Sequence, residues 1–224
     1  MIRYYFALTN NCNHSCEYCS CYSRPGKKSY LDFDVFKKYI NSSNNFFEVQ
    51  LEGGEPLLHP NFYEFIDYSI NTKRCNKIII TTNSKIIPFK EENQWLNFIR
   101  ESKIKFILKP SINNHLFKTQ ENLFEKLSNL LFYSKKISNL EVLFNVRLDH
   151  SENDDVLIKN IEKFGLKDHC NIFHFQRYGY AKNIDKFELP FIIDNPVEFY
   201  LISPDGKNFE KDLIQRSEHM SKLD

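Results

Sequence analysis

Four of the chain's six cysteines fall within residues 12–21, in the run Asn11-Cys12-Asn13-His14-Ser15-Cys16-Glu17-Tyr18-Cys19-Ser20-Cys21. Thiolates this close on one short loop converge on one side of whatever they hold, and an iron–sulfur cluster suits such a set. The spacing C-x3-C-x2-C, over Cys12, Cys16 and Cys19, supplies three ligands and leaves one iron without any from the protein. An open coordination position distinguishes a reactive site from a closed structural one, and here it could receive the amino and carboxylate groups of a small molecule. Two other uses compete. Structural zinc could take Cys12, Cys16 and Cys19 with Cys21 or His14, but such modules pair two separated Cys-rich knuckles and this chain has one. An electron-transfer cluster would need Cys21 as fourth ligand, and Cys19 and Cys21 stand too close for both to reach one cube easily. Cys75 and Cys170 are solitary and read as small buried hydrophobes.

A second loop carries Leu51-Glu52-Gly53-Gly54-Glu55-Pro56. Paired glycines let the backbone approach a ligand closely, and a neighbouring carboxylate can meet an ammonium group. Taken alone the loop is an ordinary strand-to-helix turn.

Both loops need strands to position them, and strand-like and helix-like runs alternate along most of the chain, the pattern of a parallel sheet with helical crossovers. Strands are predicted over 3–9, 46–51, 77–82, 104–109 (stopped by Pro110), 140–148 and 171–176. Helices are predicted over 33–42, with Phe33, Phe36 and Ile40 on one face, and from Pro60 onward, with Phe62, Phe65, Ile66 and Ile70 as the stripe. Others cover 91–101, 121–134 with Leu123, Leu127, Leu130 and Leu131, and 152–164, closed by Gly165 as a C-cap. Six such units without internal repeats predict a partial (β/α)6 TIM-like barrel of parallel strands. Beyond Arg177 the pattern breaks, and 197–202 followed by Ser203-Pro204-Asp205-Gly206 reads as a terminal strand and turn. The expected division is a core over 1–191 and a short C-terminal extension over 192–224, serving as a cap or dimer contact rather than an independent domain. Every motif segment then sits at a carboxyl end of a strand, the face on which α/β sheets and barrels assemble their sites.

The 224 residues suffice for one domain with a sizeable core, and a net charge of +1 gives no bulk pull toward nucleic acid or lipid. No apolar run approaches the ~20 residues of a spanning helix and no signal h-region is present, so a cytoplasmic location is expected. In that reducing compartment six cysteines argue for metal rather than disulfides. The 21 Phe and 12 Tyr read mainly as packing.

Together, Cys12-x3-Cys16-x2-Cys19 with Tyr18 before the last cysteine, and Gly53-Gly54-Glu55-Pro56 after the second strand, resemble the radical S-adenosylmethionine (SAM) superfamily, over about residues 3–181. The resemblance is to the core domain of peptide-modifying members lacking a Cys-rich C-terminal extension. It implies one [4Fe-4S] cluster on Cys12, Cys16 and Cys19, whose fourth iron chelates SAM. Gly53, Gly54, Glu55 and Pro56 would border the SAM amino group, and the backbone near Tyr18 would meet the adenine. Thr82-Asn83 matches a pair common at the end of the third strand, and Ser111 matches a serine that contacts the ribose or carboxylate. Tyr178-Gly179, within Arg177-Tyr178-Gly179-Tyr180-Ala181, resembles a stretch running past the adenine. Many members pair an Arg in the next helix with the SAM carboxylate, whereas the run after His115 offers only Lys118. Arg147, in Asn145-Val146-Arg147, is the rival and can bind in bidentate fashion; its alternative use is a surface ion pair.

The implied function is reductive cleavage of SAM to a 5′-deoxyadenosyl radical that takes hydrogen from a substrate. A wide lateral mouth suits a peptide or protein, making a peptide maturase the first expectation. A glycyl-radical-enzyme activase, a small-molecule radical SAM enzyme and a non-enzymatic iron–sulfur electron carrier are the alternatives. The electron would come from a reductant such as flavodoxin or ferredoxin.

Overall fold

The computed structural model describes residues 1–86, 94–190 and 198–224, residues 94–97 by their backbone alone. In chain order the elements are β1 (Ile2–Thr9), α1 (Phe33–Ser42), β2 (Phe47–Gly53), α2 (Phe62–Asn71), β3 (Cys75–Thr82), α3 (Gln94–Glu101), β4 (Lys105–Asn113), α4 (Asn114–Thr119), α5 (Leu123–Ser134), β5 (Leu140–Val142), β6 (Phe144–Leu148), α6 (Asn153–Lys163), β7 (Cys170–His174), β8 (Glu198–Ile202) and α7 (Leu213–Met220). The strands form one parallel sheet in the order β7-β6-β4-β3-β2-β1-β8, with β5 also on β4. This is a curled partial TIM barrel, as the alternating pattern requires.

The two faces of the sheet differ because side chains alternate with period two. The outer face buries Tyr4, Phe6 and Leu8 of β1, Phe47, Val49 and Leu51 of β2, and Ile78 and Ile80 of β3 under the helices. Aromatic rings do much of the filling: Phe36 of α1 lies 4.6 Å from Phe6 and 4.8 Å from Phe65 of α2. Asp32 caps α1, its carboxylate accepting from the backbone N–H of Asp34 and Val35. At the far end of α6, Gly165 (φ +68°) closes a Schellman turn, with Leu166 N donating to Ile161 O and Gly165 N to Glu162 O.

The inner face is polar. Near the amino ends of the strands, Arg3, Glu48 and Lys77 lie side by side on β1, β2 and β3. Glu48, 1% exposed, binds Arg3 at 2.5 Å and Lys77 at 2.6 Å. Higher layers carry Gln50, Glu52, Thr81 and Lys109, and then Ser111 beside Asn145 and Asn113 beside Arg147.

Five expectations are corrected. Pro110 does not stop β4; it lies inside the strand, opposite Thr82. Its missing N–H explains the break in the predicted fifth strand, since β5 and β6 keep one register on β4 and part at Leu143, beside Pro110. Pro60 precedes α2 rather than opening it; a 3-10 turn over Pro56–Leu58 intervenes, and Pro56 takes its first position. α4 was not anticipated. Neither was α7, so the extension is more than a strand and turn: β8 adds to β1 in parallel and α7 follows. Residues 91–93 of the predicted third-unit helix, Val197 of the predicted terminal strand, and the expected boundary at 191/192 lie outside the described residues. Among the described residues no helix is long and apolar enough to cross a membrane.

Candidate active site

The cysteine loop leaves β1 at Thr9 and is built on backbone hydrogen bonds. Cys12 N donates to Arg24 O (3.2 Å), Arg24 N to Asn10 O (3.4 Å) and Asn10 N to Ser29 O (3.2 Å), so the chain after the loop folds back along its start. Arg24 also donates to Cys16 O at 2.7 Å and lies over the Tyr180 ring at 4.0 Å. Asn10 is fully buried and donates to the carbonyls of Leu223 and Asp224, fastening the loop base to the C-terminal segment.

Gly53 and Gly54 have their closest neighbour in this loop. Gly53 adopts φ +128°, and a Cβ there would meet Thr9 O at 2.5 Å; one on Gly54 would meet Asn11 O at 2.1 Å. Both positions therefore require glycine. The approach permits Gly54 N to donate to Thr9 O (2.7 Å) and Glu55 N to Asn11 O (2.9 Å). The paired glycines thus bring their backbone against the residues that launch Cys12.

Glu55 joins a third strand end to this assembly. It is fully buried, and its carboxylate accepts from Thr82 Oγ1 (2.9 Å) and Asn83 N (2.8 Å). Burial pushes its carboxyl up to about 7 despite these donors. Asn83 in turn donates from Nδ2 to Cys12 Sγ (3.5 Å) and Asn13 Oδ1 (2.7 Å). Gln120, beyond α4, donates to Asn83 O and contacts His14, whose imidazole burial lowers to about 4.

The three thiols share one region. Burial pushes Cys12 up to about 11 and Cys16 to about 12; the charges of Glu55 and Cys19 add to the first shift and those of Cys19 and Cys12 to the second. Cys19 Sγ accepts from Ser23 N at 3.4 Å. Among the described residues no three His, Cys, Asp or Glu side chains group as they would around a single metal ion. Cys21 lies beside Ser20 at 3.7 Å, in the fields of Cys19, Arg216 and Glu52.

A model of the radical SAM superfamily matches residues 6–108, and a GTP 3′,8-cyclase of Clostridium acetobutylicum is 26% identical over 174 residues, 74% of this chain and 50% of that protein. Residues 6–108 carry the domain of the radical SAM superfamily. The antilisterial bacteriocin subtilosin biosynthesis protein AlbA of Bacillus subtilis is 29% identical over 113 residues, 50% of this chain and 25% of that protein. The chain spans half or less of the length of both relatives. The fold is shared with Streptococcus suis SuiB bound to precursor peptide SuiA (TM-score 0.63, 12% identity, 92% of this chain and 58% of that one). It is shared also with anSMEcpe with bound AdoMet (TM-score 0.56, 19% identity, 78% and 52%).

The superfamily match takes in the cysteine loop, the Gly53–Pro56 turn and Thr82-Asn83, while the remaining candidates lie beyond it. Ser111 and Asn145 are register partners on β4 and β6. Two residues on, Arg147 lies on the same inner face with its guanidinium over the Phe173 ring at 4.4 Å. Its Nη1 is buried without a hydrogen-bond partner among the described residues, and burial lowers its pKa, opposed by the charge of Tyr178. Lys118 is exposed in the last turn of α4. The Tyr18 ring packs on Phe175 (4.6 Å) and Phe187 (5.4 Å), and its hydroxyl donates to Asp149. Gly179 (φ +65°) presses on the cysteine loop, where a Cβ would meet Cys19 O at 2.4 Å, and Tyr180 N donates to that carbonyl. Sequence reasoning missed Asn10, Arg24, Gln120 and Arg216. Only Asn10 and Arg24 had a signal, their closeness to the cysteines.

Proposed function

We propose that the chain acts as a radical SAM enzyme, holding one [4Fe-4S] cluster on Cys12, Cys16 and Cys19 and modifying a peptide or protein. The observation that carries this reading is the convergence at one end of the sheet. The base of the cysteine loop is held by backbone to Gly54 and Glu55, Cys12 is tied through Asn83 to Glu55, and Arg147, half-buried, has a buried Nη1 without a hydrogen-bond partner among the described residues. Both features fit the expected groups: thiolates suit iron, and a buried cationic donor without a partner calls for a carboxylate. Held by these residues, the cluster and SAM would supply one-electron reductive cleavage of the SAM carbon–sulfur bond and hydrogen abstraction from the substrate.

The protein's part is to hold and orient. Arg147 takes the SAM carboxylate in preference to Lys118, which lies on the surface. The carbonyls of the Gly53–Pro56 turn border the amino group, with Ser111 and Asn145 on the inner face below. The backbone near Tyr18 and the Tyr178-Gly179 turn border the adenine, and the rings of Tyr18, Phe175 and Phe187 exclude water. Amide donors on Cys12 and Cys19 Sγ draw charge from the sulfurs and tune the cluster's potential. A flavodoxin or ferredoxin delivers the electron, in the cytoplasm. The peptide reading is supported by the names of AlbA and of the SuiB complex with SuiA. The similarity to GTP 3′,8-cyclases favours a small molecule as the second reading.

The deciding experiment is anaerobic reconstitution with iron and sulfide, strong reductant and SAM, with mass-spectrometric assay of 5′-deoxyadenosine. The wild-type chain is expected to form it and Cys16→Ala to form none. A wild-type chain without product, or a C16A variant with full product, overturns the reading.

A further inference from the structure

The inner face of the sheet carries an unbalanced charge that the cofactors do not absorb. At the amino ends of the strands Glu48 serves Arg3 and Lys77 together. One layer higher a second network joins β2, β3 and α7. Gln50 Nε2 donates to Glu52 Oε2 (2.7 Å) and Thr81 Oγ1 (3.5 Å), while Arg216 of α7, 4% exposed, donates from Nη2 to Glu52 Oε1 (2.7 Å). Two buried atoms of this network have no hydrogen-bond partner among the described residues: Gln50 Oε1, an acceptor, and Arg216 Nη1, a donor. Beside Thr81 in register stands Lys109, which makes no hydrogen bond or ion pair among the described residues and lies in the fields of Arg3, Glu52, Lys77 and Glu48. The row therefore holds two cations and one carboxylate. Buried polar atoms are almost always satisfied, and an exception points to a missing partner.

We propose that this row is a subsite for an acidic residue of the substrate. Its carboxylate sits between the Lys109 ammonium and Arg216 Nη1, and one of its N–H groups donates to Gln50 Oε1. The assignment rests on the peptide-modifying reading above. Charge favours a carboxylate: this row and the layer below it together hold four cations (Arg3, Lys77, Lys109, Arg216) against two carboxylates (Glu48, Glu52), an excess that a carboxylate reduces and a triphosphate would overfill. The unmet acceptor beside two cationic donors matches an amino-acid residue, which brings an amide and an acid together. Tyr178 lies in the fields of both Arg147 and Arg216, so an acid held here lies next to the end of the sheet that holds the cysteine loop.

The test uses the full chain, reconstituted anaerobically and saturated with SAM so that Arg147 is occupied. Isotope-labelled acetyl-Gly-Glu-Gly-amide and its Gln counterpart are compared by equilibrium dialysis. The Glu peptide is expected to bind about tenfold or more tightly, the value of a charge-assisted contact. Lys109→Met should bring the two within about twofold with SAM affinity unchanged, and Lys109→Arg should restore the preference. Equal binding of the two peptides by the wild-type chain overturns the proposal without any variant, as does a preference that survives in K109M. Failure of both peptides to bind while GTP binds also overturns it. Formation of 5′-deoxyadenosine is scored separately. Product without a Glu preference refutes this subsite alone, and a Glu preference without product refutes the enzymatic reading alone.

Discussion

Gly54→Ala tests whether the glycine turn positions the cysteine loop. A methyl at residue 54 would lie 2.1 Å from Asn11 O and 2.7 Å from its carbonyl carbon. Carbon contacts are ordinarily about 3.5 Å or more, so the two backbones must part by more than about 1 Å. Both neighbours are main chain and neither can rotate away. That separation removes the Gly54 N to Thr9 O and Glu55 N to Asn11 O hydrogen bonds, now 2.7 and 2.9 Å. Two lost bonds at about 1 kcal/mol each, with overpacking of about 1–3 kcal/mol, give roughly 3–5 kcal/mol. For a chain of this size that is a fall in Tm of roughly 6–20 °C. The displacement reaches Cys12, the next residue after Asn11, so iron and sulfide per chain after reconstitution should fall well below wild type.

Gly165→Ala is the control. Gly165 also has positive φ, but nothing lies within 4 Å of a Cβ there, so only the left-handed conformation costs, about 1 kcal/mol. That variant should melt a few degrees lower and bind full iron. If G54A melts with G165A and keeps its iron, the glycine turn does not position the cysteines.

Arg147→Met should weaken SAM binding by roughly ten- to a hundredfold, the value of hydrogen bonds to a charged group, whereas Lys118→Ala should leave it unchanged; anaerobic calorimetry on reconstituted protein measures both, and the opposite ranking would return the carboxylate to Lys118. Glu55→Gln should alter the pH dependence of stability. The Glu55 carboxyl titrates at about 7 in the fold against an ordinary 4.5, so its neutral form is the one the fold prefers, and the contribution is lost as pH rises through that window. Gln is neutral throughout. Relative to wild type, E55Q should gain about 2–3 kcal/mol between pH 5 and pH 8, read by urea unfolding of the metal-free protein. A difference constant over that range would show that burial does not raise the carboxyl.

Sequence period and punctuation revealed most of the architecture because strands buried under helices advertise themselves by runs such as Lys77-Ile78-Ile79-Ile80-Thr81-Thr82. The two errors with proline came from applying its local rule without the neighbouring strand. Pro110 is tolerated within β4 because its absent N–H falls where β5 gives way to β6, a fact about a partner some 30 residues away. The site was legible where its residues are contiguous, as in the cysteine loop and Gly53-Gly54-Glu55-Pro56. Glu55 has a role its contiguous motif did not reveal: its carboxylate accepts from Thr82 and Asn83, tying two strand ends together. Arg216 carried no signal, since its partner Glu52 lies 164 residues earlier.

The inner face separates stability from function along the strand axis. At the amino ends Glu48 is claimed by two cations and all three charges are committed; removing one partner of such a buried set costs about 3–5 kcal/mol. Toward the carboxyl ends pairing becomes incomplete, first at Gln50, Lys109 and Arg216 and then at Arg147. An unmet buried donor weakens the free protein by about 1–3 kcal/mol, so its persistence in layers that the barrel could fill with apolar residues requires a compensating partner. The cations grow less satisfied as the strands approach the cysteine loop, and that is the direction from which negatively charged ligands must come.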